Sequence, residues 1–254
     1  LTPLGVAVEK ENLAIVRKLL AAGARADANT RVGEKAAPWA IQAGRYELAG
    51  ELVRAGADPH QRDREGNPLL HVAMNAKRRE LMGDLIRFGA EPGQLNAGGE
   101  TTLHAAIRND WLDLIPSLVT AGADPNLPAP SQLPPLAQAV RDGKSALVPL
   151  LLRSGADPNY PPPLAGVASA DSRNNPSAAE LAFDSGDRAL LGKFLIHRTK
   201  PETASFNRWL WKAVANHDCE LANQLLAHGA RPDVRNAAGW LPIEVAVLQG
   251  NASL

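Results

Sequence analysis

Alanine recurs along the chain inside a fixed apolar frame. Ala7, Ala40, Ala73, Ala106, Ala139, Ala182, Ala213 and Ala246 are separated by 33, 33, 33, 33, 43, 31 and 33 residues. Counting eight, nine, twelve and thirteen residues forward from each of the first seven reaches an apolar residue every time. The first repeat supplies Ile15, Val16, Leu19 and Leu20, the third Leu81, Met82, Leu85 and Ile86, and the sixth Leu190, Leu191, Phe194 and Leu195. Steps of one, three and four draw a stripe down one side of a helix. A shorter helix centres on each alanine, whose small side chain lets a neighbouring helix approach closely. Gly56-Ala57-Asp58-Pro59, Gly89-Ala90-Glu91-Pro92, Gly122-Ala123-Asp124-Pro125 and Gly155-Ala156-Asp157-Pro158 follow the longer helices at the same period. Glycine there suits a left-handed helix stop. Each unit therefore reads short helix, turn, longer helix, glycine stop and polar extended connection.

The 33-residue frame, Thr2-Pro3-Leu4, Thr101-Thr102-Leu103-His104-Ala105-Ala106 and the recurring Gly-Ala-Asp-Pro resemble the ankyrin repeat. That resemblance covers essentially the whole chain. It implies an all-α fold, an ankyrin-repeat solenoid of stacked helix–turn–helix units with β-hairpin fingers, each unit touching only its neighbours. Eight repeats are expected within a single domain over 1–254, near 1–34, 35–67, 68–100, 101–133, 134–176, 177–207, 208–240 and 241–254. The departures are a loop expansion at 160–175 and Arg198-Thr199-Lys200-Pro201 in place of Gly-Ala-Asp-Pro. In repeat seven Arg208-Trp209-Leu210-Trp211 replaces the Thr-Pro-Leu-His stretch. Repeats one and eight read as incomplete and lack polar caps, so the chain is expected to be the ordered part of a longer polypeptide.

Composition narrows the function classes. Of 254 residues 45% are apolar and 21% charged, enough for a core and too apolar for wholesale disorder. Twenty-seven Lys and Arg balance 27 Asp and Glu, whereas nucleic-acid binders carry a basic excess, so no nucleic acid is expected as partner. The longest largely apolar run, about Ala146 to Leu152, falls short of the roughly 18–20 residues of a membrane span. One cysteine, Cys219, excludes an intramolecular disulfide. Arg outnumbers Lys 19 to 8, a bias that points to a GC-rich, bacterial gene. The chain begins without Met, so a leader removed from a periplasmic or secreted protein stands beside the favoured cytoplasmic placement.

Catalytic and metal motifs are missing. His71 and His104 lie 33 apart, and in the family the chain resembles the histidine at this position bonds the backbone between repeats. That role is expected in preference to metal binding. No His or Cys cluster has zinc spacing, and there is no phosphate loop, Gly-x-Ser-x-Gly elbow or His-Glu-x-x-His helix. Cys219 reads as a packing residue, since His217, two positions away on a helix, points elsewhere. Pro116 and Pro149 fall early in the longer helices of repeats four and five, where proline is tolerated and would tilt or tighten them. Neither an enzyme nor a cofactor is expected.

The resemblance implies binding of another macromolecule, usually a protein, on the concave face formed by finger tips and first helices. The matching helix positions, two and three after each register alanine, hold Gln42 and Ala43, Asn75 and Ala76, Arg108 and Asn109, then Arg141 and Asp142. Finger positions six, eight and nine before the alanine hold Arg31, Val32 and Glu34, then Arg64, Glu65 and Asn67, then Glu100, and Trp240 in the last finger. Arg108 and Arg141 are expected to stack in adjacent layers, with Asp110 and Asp142 as possible counter-ions. Trp240 resembles an interface anchor. Tyr160 opens the expanded loop, which is expected either to touch the partner or to do nothing. Trp209 and Trp211 are expected to pack against that loop, and Trp39 between repeats. The expected function is a non-enzymatic protein-interaction domain, monomeric by itself. The alternatives are an inhibitor or immunity-type protein occluding an enzyme or toxin, and a targeting arm of a larger enzyme or effector.

Overall fold

The structure, a computed structural model, describes residues 2–130, 132–160, 176–196, 203–236 and 238–250, and of 203–205 the backbone alone. Among these residues seven pairs of helices and a last single helix follow the 33-residue frame. The first helices of the pairs are α1 (Pro3–Glu9), α3 (Ala36–Gln42), α5 (Leu69–Asn75), α7 (Thr102–Arg108), α9 (Pro135–Arg141), α11 (Ala178–Ser185) and α13 (Thr203–Ala215), and α15 (Pro242–Leu248) stands last. The second helices are α2 (Leu13–Ala21), α4 (Tyr46–Arg54), α6 (Arg79–Arg87), α8 (Leu114–Thr120), α10 (Val148–Arg153), α12 (Arg188–Ile196) and α14 (Cys219–Ala227). Every register alanine lies in a first helix, and none is more than 6% exposed. Close packing of neighbouring helices explains why this position stays small.

The turn between paired helices repeats with the same period. Glu11, Gly44, Lys77, Asp110, Gly143, Gly186, His217 and Gly250, each four residues after a register alanine, all adopt positive φ between 55° and 74°. A left-handed residue reverses the chain within three or four residues. Glycine serves half of these turns, and the other half hold side chains in a conformation L-residues disfavour. A second left-handed stop follows most of the second helices, as at Gly56 and Gly122.

The fingers are minimal hairpins. Asn29 pairs with Lys35 and Arg62 with Pro68 in isolated antiparallel bridges. Four tips are closed by a backbone pair such as Thr30 N to Glu34 O (2.8 Å) and Gly33 N to Thr30 O (3.0 Å), repeated at Asp63, Asn96 and Asn236.

The chain divides into two compact units, Leu1–Pro135 and Leu136–Leu254. In the first unit α1, α3, α5 and α7 stack in one layer and α2, α4 and α6 in a second. Leu48, Leu52, Leu81, Leu85, Ile115 and Leu118 fill the space between the layers. The apolar stripe holds least well in repeat one, where Val16 is buried but Ile15 is 47% exposed. Trp39 is half-buried. In the second unit Trp209 is the largest buried side chain, its ring stacked on Phe183 (5.1 Å) and edge-on to Phe206 (5.8 Å). Its described ring neighbours are therefore helix residues, while the loop expected to cover it lies, beyond Tyr160, outside the described residues.

Helix lengths depart from the frame in two ways. α8 and α10 have seven and six residues, against nine in the other second helices. Pro116 is the third residue of α8 and Pro149 the second of α10, so the helix starts late enough to keep each proline in its first turn. α13 runs thirteen residues and begins at Thr203, six residues before the frame position at which the other first helices start. Ser177, for comparison, forms a reciprocal capping box with Glu180.

Candidate partner-binding face

In the first unit Glu9, Gln42 and Arg108, each two residues after a register alanine, meet finger side chains, so helix and finger positions converge there. Glu9 accepts from the backbone N–H and the guanidinium of Arg31. Gln42 Nε2 donates to Glu65 (3.1 Å), and Arg108 binds the Glu100 carboxylate. Neighbouring fingers are also tied together. Arg64 pairs with Glu34 (2.7 Å), Asn67 Oδ1 accepts from Ala97 N (3.0 Å), and Gln132 donates to Glu100 (3.1 Å). The result is a polar ledge of half-satisfied groups held in fixed positions.

Several of the expected contact residues serve the stack itself. Asn67 is half-buried and donates twice to Asp63. Glu100 collects Arg108, Gln132 and Asn96 on its carboxylate, while its carbonyl accepts His71 Nε2 at 3.0 Å. Burial opposes ionisation of Glu100, but the three hydrogen bonds prevail and hold its carboxyl below the usual range. Glu100 is thus a counter-ion of Arg108. Arg31, Arg64, Glu65, Asn75 and Asn109 remain exposed, Asn109 with its amide on the Ala105 carbonyl (2.8 Å).

The second unit carries the remaining expected positions. Arg141 bonds Gln138 (2.5 Å), Gln138 in turn bonds Asp142 (2.6 Å), and both charged groups are exposed. Tyr160 is half-buried, its backbone N–H on Asp157 O (3.2 Å). Trp240 stands 45% exposed. Sequence reading passed over Arg208–Glu180 and Lys212–Asp184, which link α13 to α11 across the frame. Opposite charges 28 residues apart were the available signal. Trp211 occupies the position held by His71 and His104, and its ring N–H likewise reaches a finger carbonyl, Val234 O at 3.3 Å.

A separate cleft of about 850 Å³ runs along the inter-helix turns of the first unit, with no finger residue in its lining. Its charges are largely spent internally, Arg45 on Glu11 (2.8 Å), Arg54 on Asp84, and Arg78 over the Tyr46 ring (4.3 Å). Among the described residues no three of His, Cys, Asp and Glu converge as a metal site would need. His71 and His104 are bound instead to carbonyls 29 residues ahead, Glu100 O and Leu133 O.

Residues 69–161 match the family model of ankyrin repeats, in three copies. Those residues are ankyrin repeats, and the chain as a whole has the ankyrin-repeat fold. Two solved ankyrin domains share its fold along most of its length. The ankyrin repeat domain of Bcl-3, described as a unique member of the IkappaB protein family, is 24% identical with a TM-score of 0.54, over 96% of this chain and 93% of that one. An ankyrin repeat domain from Acinetobacter baumannii AYE is 20% identical with a TM-score of 0.58, over 90% and 98%. At these identities the likeness concerns the fold alone. No curated protein sequence matches the chain at a significant level. Ankyrin repeats generally mediate protein–protein interaction and are typically non-enzymatic modules. No described helix of the chain is long and apolar enough to cross a membrane.

Proposed function

We propose that residues 1–254 act as a single non-enzymatic interaction domain that seats a partner protein on its finger and inner-helix face. The observation carrying this reading is the ledge of the first unit, where Glu9, Gln42 and Arg108 of three first helices each engage a finger side chain. Those bonds fix the side chains before any partner arrives, so little conformational entropy is lost on binding. Recognition works through shape and hydrogen-bond complementarity, with Trp240 as an aromatic anchor at the last finger. The zero net charge gives no long-range attraction for a phosphate backbone. The domain needs no cofactor for this and works as a monomer.

The test is affinity capture from source-cell lysate with wild type and a Glu65→Lys/Asn75→Arg/Trp240→Ala variant. These three side chains are exposed, and their replacement leaves no buried carboxylate without its cation. A protein retained by wild type and lost by an equally stable variant supports the face. Equal retention by both contradicts it. Assaying the captured protein's own activity with and without this chain then separates scaffold from inhibitor.

A further inference from the structure

The charge on the ledge of the first unit is arranged asymmetrically in depth. Arg31 pairs with Glu9, Arg64 with Glu34 and Arg108 with Glu100. In each pair the guanidinium is outermost, 53%, 58% and 50% exposed, and the carboxylate lies beneath it at 9%, 10% and 13%. Each ion pair is neutral from a distance, yet the surface a partner touches is made of guanidinium groups. Lys35 and Arg62 add positive charge whose N–H groups rest on backbone carbonyls, Asp27 O (3.3 Å), Gly66 O (2.7 Å) and Leu95 O (3.0 Å). Glu65 is the opposing exposed carboxylate at a finger tip, and neutral Gln42 donates to it.

We propose that this ledge receives an acidic, extended segment of the partner protein, with its carboxylates on Arg31, Arg64 and Arg108. The proposal rests on the reading of the face as a protein-binding surface and names the chemistry of what binds there. Arg31 and Arg64 are one repeat apart, and packed helix layers repeat at roughly 8–10 Å. An extended peptide advances about 3.3 Å per residue, so acidic side chains at every third position match that step. Arg31 and Arg64 each meet their carboxylate through one guanidinium nitrogen and stay more than half exposed, and arginine's planar fork is suited to carboxylates. The buried glutamates cancel the long-range field, which a polyanion such as nucleic acid exploits and a few well-placed carboxylates do not require.

The test uses the intact chain and fluorescence anisotropy with labelled probes. These are a peptide of five Glu-Gly-Ser triplets, its Gln-Gly-Ser counterpart and a fifteen-nucleotide single-stranded oligothymidylate. The Glu probe is expected to bind at least tenfold more tightly than either other probe. A Glu9→Gln/Arg31→Gln/Glu34→Gln/Arg64→Gln variant, which strands no carboxylate, should reduce it to the Gln probe's level. If that variant melts early, Glu65→Gln serves instead, strengthening the Glu probe about threefold and leaving the Gln probe unchanged. Equal binding of the Glu and Gln probes, tighter binding of the oligonucleotide, or indifference to both variants overturns the proposal. The protein-binding reading itself would survive such a result if the captured protein is still lost with Glu65→Lys/Asn75→Arg/Trp240→Ala.

Discussion

His71 and His104 show how one residue type is used twice with different completeness. Both reach the next finger through Nε2, but His104 also has Thr101 Oγ1 at 2.7 Å from Nδ1. At the equivalent place before His71 stands Pro68, which has no hydroxyl, and the buried His71 Nδ1 has no partner among the described residues. Pro68→Thr is therefore expected to cap α5, satisfy that nitrogen and stabilise the chain by about 1 kcal/mol, read from urea unfolding. Burial, partly offset by the bond to the Glu100 carbonyl, pushes His71 down to about 4, and burial lowers His104 as well. An unfolded histidine titrates near 6.5, so between about 6.5 and 4 the unfolded chain binds protons that the folded chain refuses. Stability is full above that window and falls as the solution is acidified through it. Going from pH 7 to pH 5 should cost about 2 kcal/mol through His71, and His71→Gln should remove that share of the slope. The bond between repeats was legible from the histidine's place in the Thr-Pro-Leu-His frame. The missing second partner was not, because it depends on the cap geometry around residue 68. Gly5 sits in the same frame position in repeat one, where an added Cβ would land against the Asn29 carbonyl.

At the scale of the helix the repeat frame foretold which faces are buried, since all eight alanines and nearly every second-helix stripe lie inside. It did not foretell lengths. Pro116 and Pro149 shorten α8 and α10, and α13 begins six residues ahead of the frame, because helix ends depend on single donors and acceptors rather than on apolar spacing. Ala106→Leu tests the layer packing. The added methylenes have no space between α7 and its neighbours, and a loss of about 2–3 kcal/mol in thermal or urea unfolding is expected. Lys77→Gly tests the turn between α5 and α6. Lys77 is exposed and holds a φ of 57°, so glycine should relieve the left-handed strain and stabilise by about 0.5–1 kcal/mol. A neutral or destabilising result would mean that the turn is held without strain.

For the whole molecule, the period alone identified the architecture, because each unit can bury its apolar face only by stacking on a copy of itself. The candidate face was legible as a set of positions but not as a set of functions. Glu34, Asn67 and Glu100 turned out to be committed to holding neighbouring fingers together, which a single repeat's sequence does not disclose. The pairing of α1, α3 and α7 with fingers also required side-chain geometry, since Arg31 and Glu9 are 22 residues apart while Arg108 and Glu100 are eight apart. The central claim is that a protein binds on that face, and backbone hydrogen exchange of the chain alone and with its captured partner tests it most directly. Slowed exchange is predicted in fingers 29–35, 62–68 and 95–101, with α2, α4 and α6 unchanged. Protection confined to those second helices, with the fingers exchanging as in the free chain, would contradict the account.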